Sequence, residues 1–417
     1  MQNRLVSSFI LLFSLTSIWS QTNHYDLQKA LQTARSNSPL SKPQQYNIAI
    51  AEADVITASL RPNLILNNQT LNLVQPSLFP TNTHWYSGKN RQVWWQLTKP
   101  FQLPAQRRYK IDVAEQNVLL EQKIFKETER NLFKDVAIQW LDVWTARKQL
   151  DLLQVAKNNT DSLVVVNELR YKNQVITETE LIRTSILANQ YALQLKSAEQ
   201  AYQNTLLNLR FLLGTNETIG IDTSDRFLYV LPSSLDSILK EALSSRSDIQ
   251  SLKSVVNVAD ANIQLQKSFA WPQPELGVIY NPQNTIPYVG IYGTIELPVF
   301  SRNQGEIKKS VVLKQQAEQQ LQTTQVQLQT ELTMAYQSYQ TQQSNVANFD
   351  QVLTQSEKIL TSVKYSYLRG GTTIVDFLEA QRSWLETQQQ YYETLQGYKQ
   401  SYIHLLYVSG HINQLAQ

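Results

Sequence analysis

Hydrophobic positions along this chain follow two periods. In the second half, Leu332, Tyr339, Val346, Leu353, Leu360 and Tyr367 recur every seven residues, with Ala335, Phe349 and Val363 in the companion register. That seam, interrupted at Gln342 and Ser356, predicts a coiled coil. Between the helical stretches the period changes to two. Val289, Ile291, Ile295, Leu297 and Val299 alternate with Tyr288, Gly290, Tyr292, Thr294 and Glu296. Val93, Trp95, Leu97 and Phe101 alternate likewise with Gln92, Trp94, Gln96 and Thr98. Such alternation predicts strands with one apolar and one wet face. Leu276, Val278 and Tyr280 give a shorter strand, and Asn63–Val74 a poorly alternating one.

Breakers set the lengths. No Gly or Pro interrupts Ala105–Leu213, Ser233–Trp271 or Glu306–Arg369. Ala105 to Arg170 and Arg302 to Tyr367 are each 66 residues, or ~100 Å of helix. Each is followed by a turn, Lys172-Asn173-Gln174 or Arg369-Gly370-Gly371, and by a returning helix. Helices of this length cannot belong to a compact globule and must pack along one another.

The chain is built twice. Arg170–Gly214 matches Ser366–Gly410 at a shift of 196 residues, placing Tyr171 on Tyr367, Thr177 on Thr373, Glu180 on Asp376 and Gly214 on Gly410. Upstream, Arg61-Pro62 matches Trp271-Pro272, and Lys99-Pro100-Phe101 matches Pro298-Val299-Phe300 with its preceding Leu297. The expected organisation is a first repeat over 21–213 (helices 25–61, strands about 62–104, hairpin 105–213) and a linker over 214–232. A second repeat follows over 233–417 (helices 233–271, strands about 272–300, hairpin 301–410). The fold class is mainly α with a small β part.

Residues 1–20 carry Arg4, an apolar run from Leu5 to Trp19 and a closing Ser20, which predicts a secretory signal peptide. The run is shorter than the ~20 residues of a comfortable transmembrane helix, and no later segment is apolar enough to be one. Any membrane span must therefore be made of strands. Four strands cannot close a transmembrane barrel, whose smallest members have eight, so membrane insertion would require oligomerisation. Trp85, Tyr86, Trp94, Trp95, Trp271, Tyr280, Tyr288 and Tyr292 lie in or beside the strands, as expected of aromatic belts or of a small periplasmic β-domain.

Charge and rare residues narrow the chemistry. A formal net charge of +3 gives no reason to expect nucleic acid as a partner. With no Cys, four His and two Met, no metal site or other cofactor is expected. His24, His84, His404 and His411 stand in unrelated contexts without a paired nucleophile, and no phosphate-binding glycine loop occurs. No enzyme is expected.

At this point the tandem architecture resembles the TolC-type outer-membrane efflux channels, over essentially the whole mature chain. The most specific stretch is Tyr367-Leu368-Arg369-Gly370-Gly371-Thr372-Thr373-Ile374-Val375-Asp376-Phe377-Leu378-Glu379-Ala380. It is similar to the family's Tyr-x-x-Gly-x-x-Thr-Ile-Val-Asp-x-Leu-Asp-Ala segment. The resemblance implies a homotrimer with a 12-stranded β-barrel in the outer-membrane lipid and an α-barrel reaching into the periplasm. It also implies a periplasmic adaptor (membrane fusion) protein and an inner-membrane pump, the resistance-nodulation-division type being the candidate. The function implied is a passive exit duct, the alternative being a periplasmic coiled-coil adaptor or structural protein without a barrel.

The resemblance also assigns residues. Asp376 and Glu379 correspond to the acidic pore entrance, and six such carboxylates in a trimer would favour cations. Charges ~6 Å apart at an effective dielectric of 20 repel by nearly ~3 kcal/mol per pair. Tyr367 corresponds to the entrance latch, with Thr372 where the family has a basic companion. Read from their own chemistry, Thr373 with Asp376 and Thr177 with Glu180 are capping boxes, and Tyr367 is the last residue of its seam. Asn173, Gln174, Gly370 and Gly371 are hairpin-turn residues, Asn173 being expected to take the left-handed conformation.

Overall fold

Long runs of Gln, Leu, Ala, Glu and Lys without breakers become four helices in two antiparallel hairpins. In a computed structural model, residues 23–224, 234–283 and 286–416 are described, and the expected signal peptide lies outside them. Helix α3 (Pro104–Lys172, 69 residues) turns back as α4 (Glu178–Leu213, 36 residues), and α7 (Gln304–Leu368, 65 residues) as α8 (Ile374–Ser409, 36 residues). In the distal part of α7, beyond the buried Leu328, Leu332 and Ala335, the residues shielded from solvent include Gln342, Val346, Phe349, Leu353, Ser356, Leu360, Val363 and Tyr367. Their alternating spacing of four and three is that of a coiled-coil seam, and Gln342 and Ser356 occupy it as polar members.

Shorter helices precede each hairpin: α1 (Leu27–Asn37) and α2 (Lys42–Ser59) in the first half, α5 (Leu235–Ser245) and α6 (Ser247–Ser268) in the second. A two-stranded parallel sheet joins β1 (Asn23–Tyr25) to β4 (Ile219–Ile221). The linker expected over 214–232 therefore carries a buried strand in its described part. Two indoles hold it, Trp140 donating to the Tyr25 carbonyl at 3.0 Å and Trp144 to the Thr223 carbonyl at 3.1 Å.

The other sheet is antiparallel, in the order β2 (Ile65–Asn72), β3 (Arg91–Pro100), β5 (Glu275–Gln283), β6 (Ile286–Thr294). The helices below it keep the same lateral order, α2 beside α3, α3 beside α6, α6 beside α7. Register rows divide the sheet's faces. Leu66, Leu97, Val278 and Ile291 form one row and Asn68, Trp95, Tyr280 and Val289 another on the same face. Ile65, Thr98, Gly277 and Tyr292, then Asn67, Gln96, Ile279 and Gly290, line the opposite, more polar face. Apolar side chains on the first face stay exposed, Ile291 by 87%.

Two sequence expectations are corrected and one is met. The strand expected to run to Phe300 stops at Thr294, because its partner Glu275 opens β5 directly after Pro274, and Pro298 has no N–H to give. The poorly alternating strand expected over Asn63–Val74 is present as β2 (Ile65–Asn72), its pairing set by the backbone of β3 rather than by an apolar face. The aromatics do not form one belt, since Trp94, Tyr288 and Tyr292 fall on the polar face by parity.

Helix ends are closed by neighbouring helices. In the first turn of α3, Gln106 is buried and donates to the carbonyls of Ser268 (3.0 Å) and Trp271 (3.1 Å) at the end of α6. The next residue, Arg107, donates twice to the Ser59 carbonyl at the end of α2 (3.0 and 2.7 Å). Near the C-terminus of α8, Arg130 donates to the Tyr407 carbonyl at 2.8 Å and Arg246 to that of Val408 at 3.0 Å. Both guanidiniums are buried and paired, Arg130 with Glu127 and Arg246 with Asp248. Orphan carbonyls of helix termini thus receive charged donors, which also suits the helix dipole.

One protomer exposes 26504 Å², whereas a compact monomer of 48.0 kDa exposes about 16,500 Å². The excess includes apolar side chains on both flanks, Tyr46, Ile50 and Ile56 on α2 and Val312, Val326 and Met334 on α7.

Gly214 ends α4 in the left-handed region (φ 63°), and a Cβ there would stand 2.2 Å from the Asn37 carbonyl oxygen. Gly214→Ala is therefore expected to destabilise the protein by about 3 kcal/mol, combining backbone strain with a clash against main chain. Thermal unfolding followed by circular dichroism checks this, and an unchanged midpoint would contradict it.

Candidate functional site

Each hairpin tip is built by a short turn and a capped helix. After α3, Gln174 takes the left-handed conformation (φ 54°), whereas Asn173 stays at φ −88° as the helix C-cap. The expectation for Asn173 is thus corrected: the positive φ falls one residue later, where the Val175 N–H can reach the Arg170 carbonyl at 2.8 Å. After α7 the positive φ falls on Gly370 (77°), and the following Gly371 donates to the Ser366 carbonyl at 2.9 Å. Gly371 itself has no positive φ.

Both returning helices begin with a capping box. Thr177 Oγ1 accepts from the Glu180 N–H at 3.3 Å while Glu180 Oε2 accepts from the Thr177 N–H at 2.8 Å. Thr373 Oγ1 accepts from the Asp376 N–H at 3.2 Å, and Asp376 Oδ2 accepts from the Thr373 N–H at 3.2 Å. The same carboxylate oxygen takes two hydroxyls as well, Thr372 at 2.6 Å and Thr373 at 2.7 Å. These donors, Thr372 foremost, hold the Asp376 carboxyl below the usual carboxylate range. Glu379 lies one turn on along the same helix face and is exposed. Among the described residues it makes no ion pair. The two acids thus differ in local engagement, Asp376 serving the helix start and Glu379 standing free of it.

Tyr367 does not point to solvent. Its ring is buried against Phe377, stacked at 5.5 Å between centroids, with the Arg170 guanidinium 4.8 Å from its own centroid. Its hydroxyl donates to Asn167 Oδ1 at 2.9 Å, Asn167 Nδ2 donates to Thr184 Oγ1 at 2.8 Å, and Thr184 donates to the Glu180 carbonyl at 2.9 Å. This relay ties α7 to α3 and α4, so it joins the second hairpin to the first. Burial pushes the Tyr367 phenol above its ordinary value, which keeps it a hydrogen-bond donor at neutral pH. A weaker link one turn away has Gln381 donating to Thr160 at 3.4 Å.

Asn167, Thr184, Thr160 and Gln381 were not singled out from the sequence. The signal existed on α3, where Leu153, Ala156, Thr160, Leu163 and Asn167 repeat at three- and four-residue spacing and are all buried. Two polar members inside an apolar seam ask for a partner, because an unpaired buried amide or hydroxyl is costly.

Residues 238–411 match the family described as outer membrane efflux protein. The pyoverdine export outer membrane protein OpmQ of Pseudomonas putida is 24% identical over 264 residues, 60% of this chain and 56% of its own length. The match thus spans little more than half of that relative. Among solved structures, CusC superposes with a TM-score of 0.77 at 17% identity, covering 93% of each chain. The open-state MtrE outer membrane channel of Neisseria gonorrhoeae gives 0.74 at 16% identity, covering 94% of this chain and 90% of its own. CmeC of Campylobacter jejuni gives 0.73 at 16%, covering 92% and 85%.

Asp376 supports the α8 cap only when ionised. Its folded-state pKa is depressed, so the contribution is complete above the ordinary value of about 3.9 and is lost as pH falls through the lower folded value. Hydrogen exchange at the first turn of α8, corrected for intrinsic rates, is expected to be level down to about pH 4 and to rise below it. Thr372→Val should move the onset upward, and an onset already near about pH 6 would contradict the cap. With its tandem hairpins and its four-stranded sheet, the chain has the fold of the TolC-type channels, and its residues 238–411 are similar to the outer membrane efflux protein family.

Proposed function

We propose that the protein is the outer-membrane channel of a tripartite efflux system, working as a trimer and as a passive exit duct. One observation carries this reading: a four-stranded sheet with an exposed apolar face, a polar face and two unpaired edges stands on helices ~100 Å long. In hydrocarbon the edges demand partners, and three copies joined edge to edge give a closed barrel of twelve strands. The apolar face then meets lipid, and the Gln- and Asn-bearing face lines water. The unsatisfied flanks of α2 and α7 meet in the same closure, and the hairpins extend into the periplasm.

Cargo would be delivered by an inner-membrane pump through a periplasmic adaptor, the resistance-nodulation-division type being the candidate pump. Asp376 and Glu379 would ring the periplasmic entrance, with Glu379 the freer of the two charges. The Tyr367 relay would be the latch that holds the second hairpin against the first. Thr372, engaged by Asp376, offers no cation to that latch, so its strength would rest on neutral hydrogen bonds and on the Arg170 guanidinium against the Tyr367 ring.

Single-channel recording in a planar bilayer tests the reading. The purified protein is expected to insert and pass cation-selective current, and Asp376→Asn with Glu379→Gln to remove the selectivity while current persists. A soluble oligomer that never inserts would overturn the barrel. Tyr367→Phe removes one buried hydrogen bond worth about 1–2 kcal/mol and should raise the conducting fraction about 5–30-fold. An unchanged fraction would remove Tyr367 from the latch.

A further inference from the structure

Where the sheet meets the helices, an open cleft of about 650 Å³ lies on one side of the wall. Four cations line it: Arg61 after α2, Lys99 at the end of β3, and Arg107 and Arg108 near the start of α3. Lys99 shares its face of the sheet with Leu97, Trp95 and Val93, whose rows form the exposed apolar face. It stands two residues, about 7 Å, beyond the last row of apolar side chains on all four strands. Phe101 and Tyr109 add aromatic surface at the same level. On the opposite face at this height, the neighbouring cleft holds Glu275 and Glu296 and no cation.

None of the four cations has a carboxylate within ion-pair distance among the described residues. Lys99 donates to the Pro62 carbonyl and Arg107 to that of Ser59, so both are fixed in place by neutral carbonyls rather than by a carboxylate. Arg108 lies against the Tyr109 ring and donates to its hydroxyl at 3.0 Å. The fold itself does not demand the charges, because the matching places in the second repeat hold Trp271 and Leu297. Two acids also line the cleft, Asp112 and Glu115, on the α3 face that carries Arg108. They lie roughly 6 and 10 Å further from the sheet than Arg108.

Charge is therefore ordered along the axis: apolar rows, then cations, then acids. A phospholipid with a phosphodiester near its acyl chains and a free ammonium beyond it has the complementary order. We propose that this cleft binds one phosphoethanolamine-headed phospholipid of the periplasmic leaflet, with its phosphate on Arg61, Lys99 and Arg108 and its ammonium toward Asp112 and Glu115. The site rests on the channel reading above, since it needs the apolar face to lie in lipid.

The full-length oligomer, delipidated in detergent, is offered phosphatidylethanolamine or phosphatidylglycerol, and retained lipid is counted by native mass spectrometry. Wild type is expected to keep about one phosphatidylethanolamine per protomer in preference to phosphatidylglycerol. Arg61→Gln with Arg108→Gln leaves the two carbonyl-bound cations in place and should weaken retention of both lipids about 30-fold, with conductance unchanged. Asp112→Asn with Glu115→Gln should keep binding and lose the preference. Equal retention by the arginine variant, a wild-type preference for phosphatidylglycerol, or displacement by about 10 mM inorganic phosphate would each overturn the site. A wild type that conducts but retains no lipid overturns the site alone, and one that does neither overturns the channel reading with it.

Discussion

The constraint on which everything else depends is that a sheet edge carries unpaired backbone donors and acceptors. Here β2 and β6 are the outer strands of a four-stranded sheet, and the helices beneath repeat the same lateral order. Each protomer is therefore an arc, ending on one side in α2 and β2 and on the other in β6 and α7. Neither its surface area nor its apolar flanks suit a free monomer. The arc makes sense as a segment of a closed wall, where each edge finds its complement.

Holding such an arc straight requires that helix ends not fray at the places where elements change. Gln106 and Arg107, adjacent in sequence, reach opposite neighbours and satisfy the terminal carbonyls of α6 and α2. Arg130 and Arg246 do the same for α8 from two other elements. Each bond joins segments far apart in the chain, so the first repeat and the second are stitched at both heights. Burying two guanidiniums is tolerable because carboxylates and carbonyls accept from each of their three nitrogens.

Much of this was legible in the sequence for physical reasons. Breaker-free runs gave the hairpins, the seam on α7 gave their packing, and period-two alternation found β3, β5 and β6. The weak signals and the misses have causes too. Residues 65–72 have no apolar face because an edge strand takes its pairing from a neighbour's backbone. Ile295–Phe300 alternate well but have no partner strand opposite, and alternation cannot report a missing partner. At the tip, Thr373 and Asp376 were readable because a cap is local. Asn167 and Thr184 were not, because their meaning lies in Tyr367, 200 residues from Asn167 in the chain.

The join between the hairpins has a further property. From the Tyr367 phenol through the Asn167 amide to the Thr184 hydroxyl it holds no ionised member, and the phenol resists losing its proton. A bond of that kind hardly notices acid, salt or divalent ions, all of which vary in a compartment open to the outside medium. The hydrogen-bonded part of the join is thus little affected by the chemistry of its surroundings, and the Arg170 guanidinium against the Tyr367 ring keeps its charge throughout the physiological range. The join answers to mechanical displacement of one hairpin against the other, which only something in contact with them can supply.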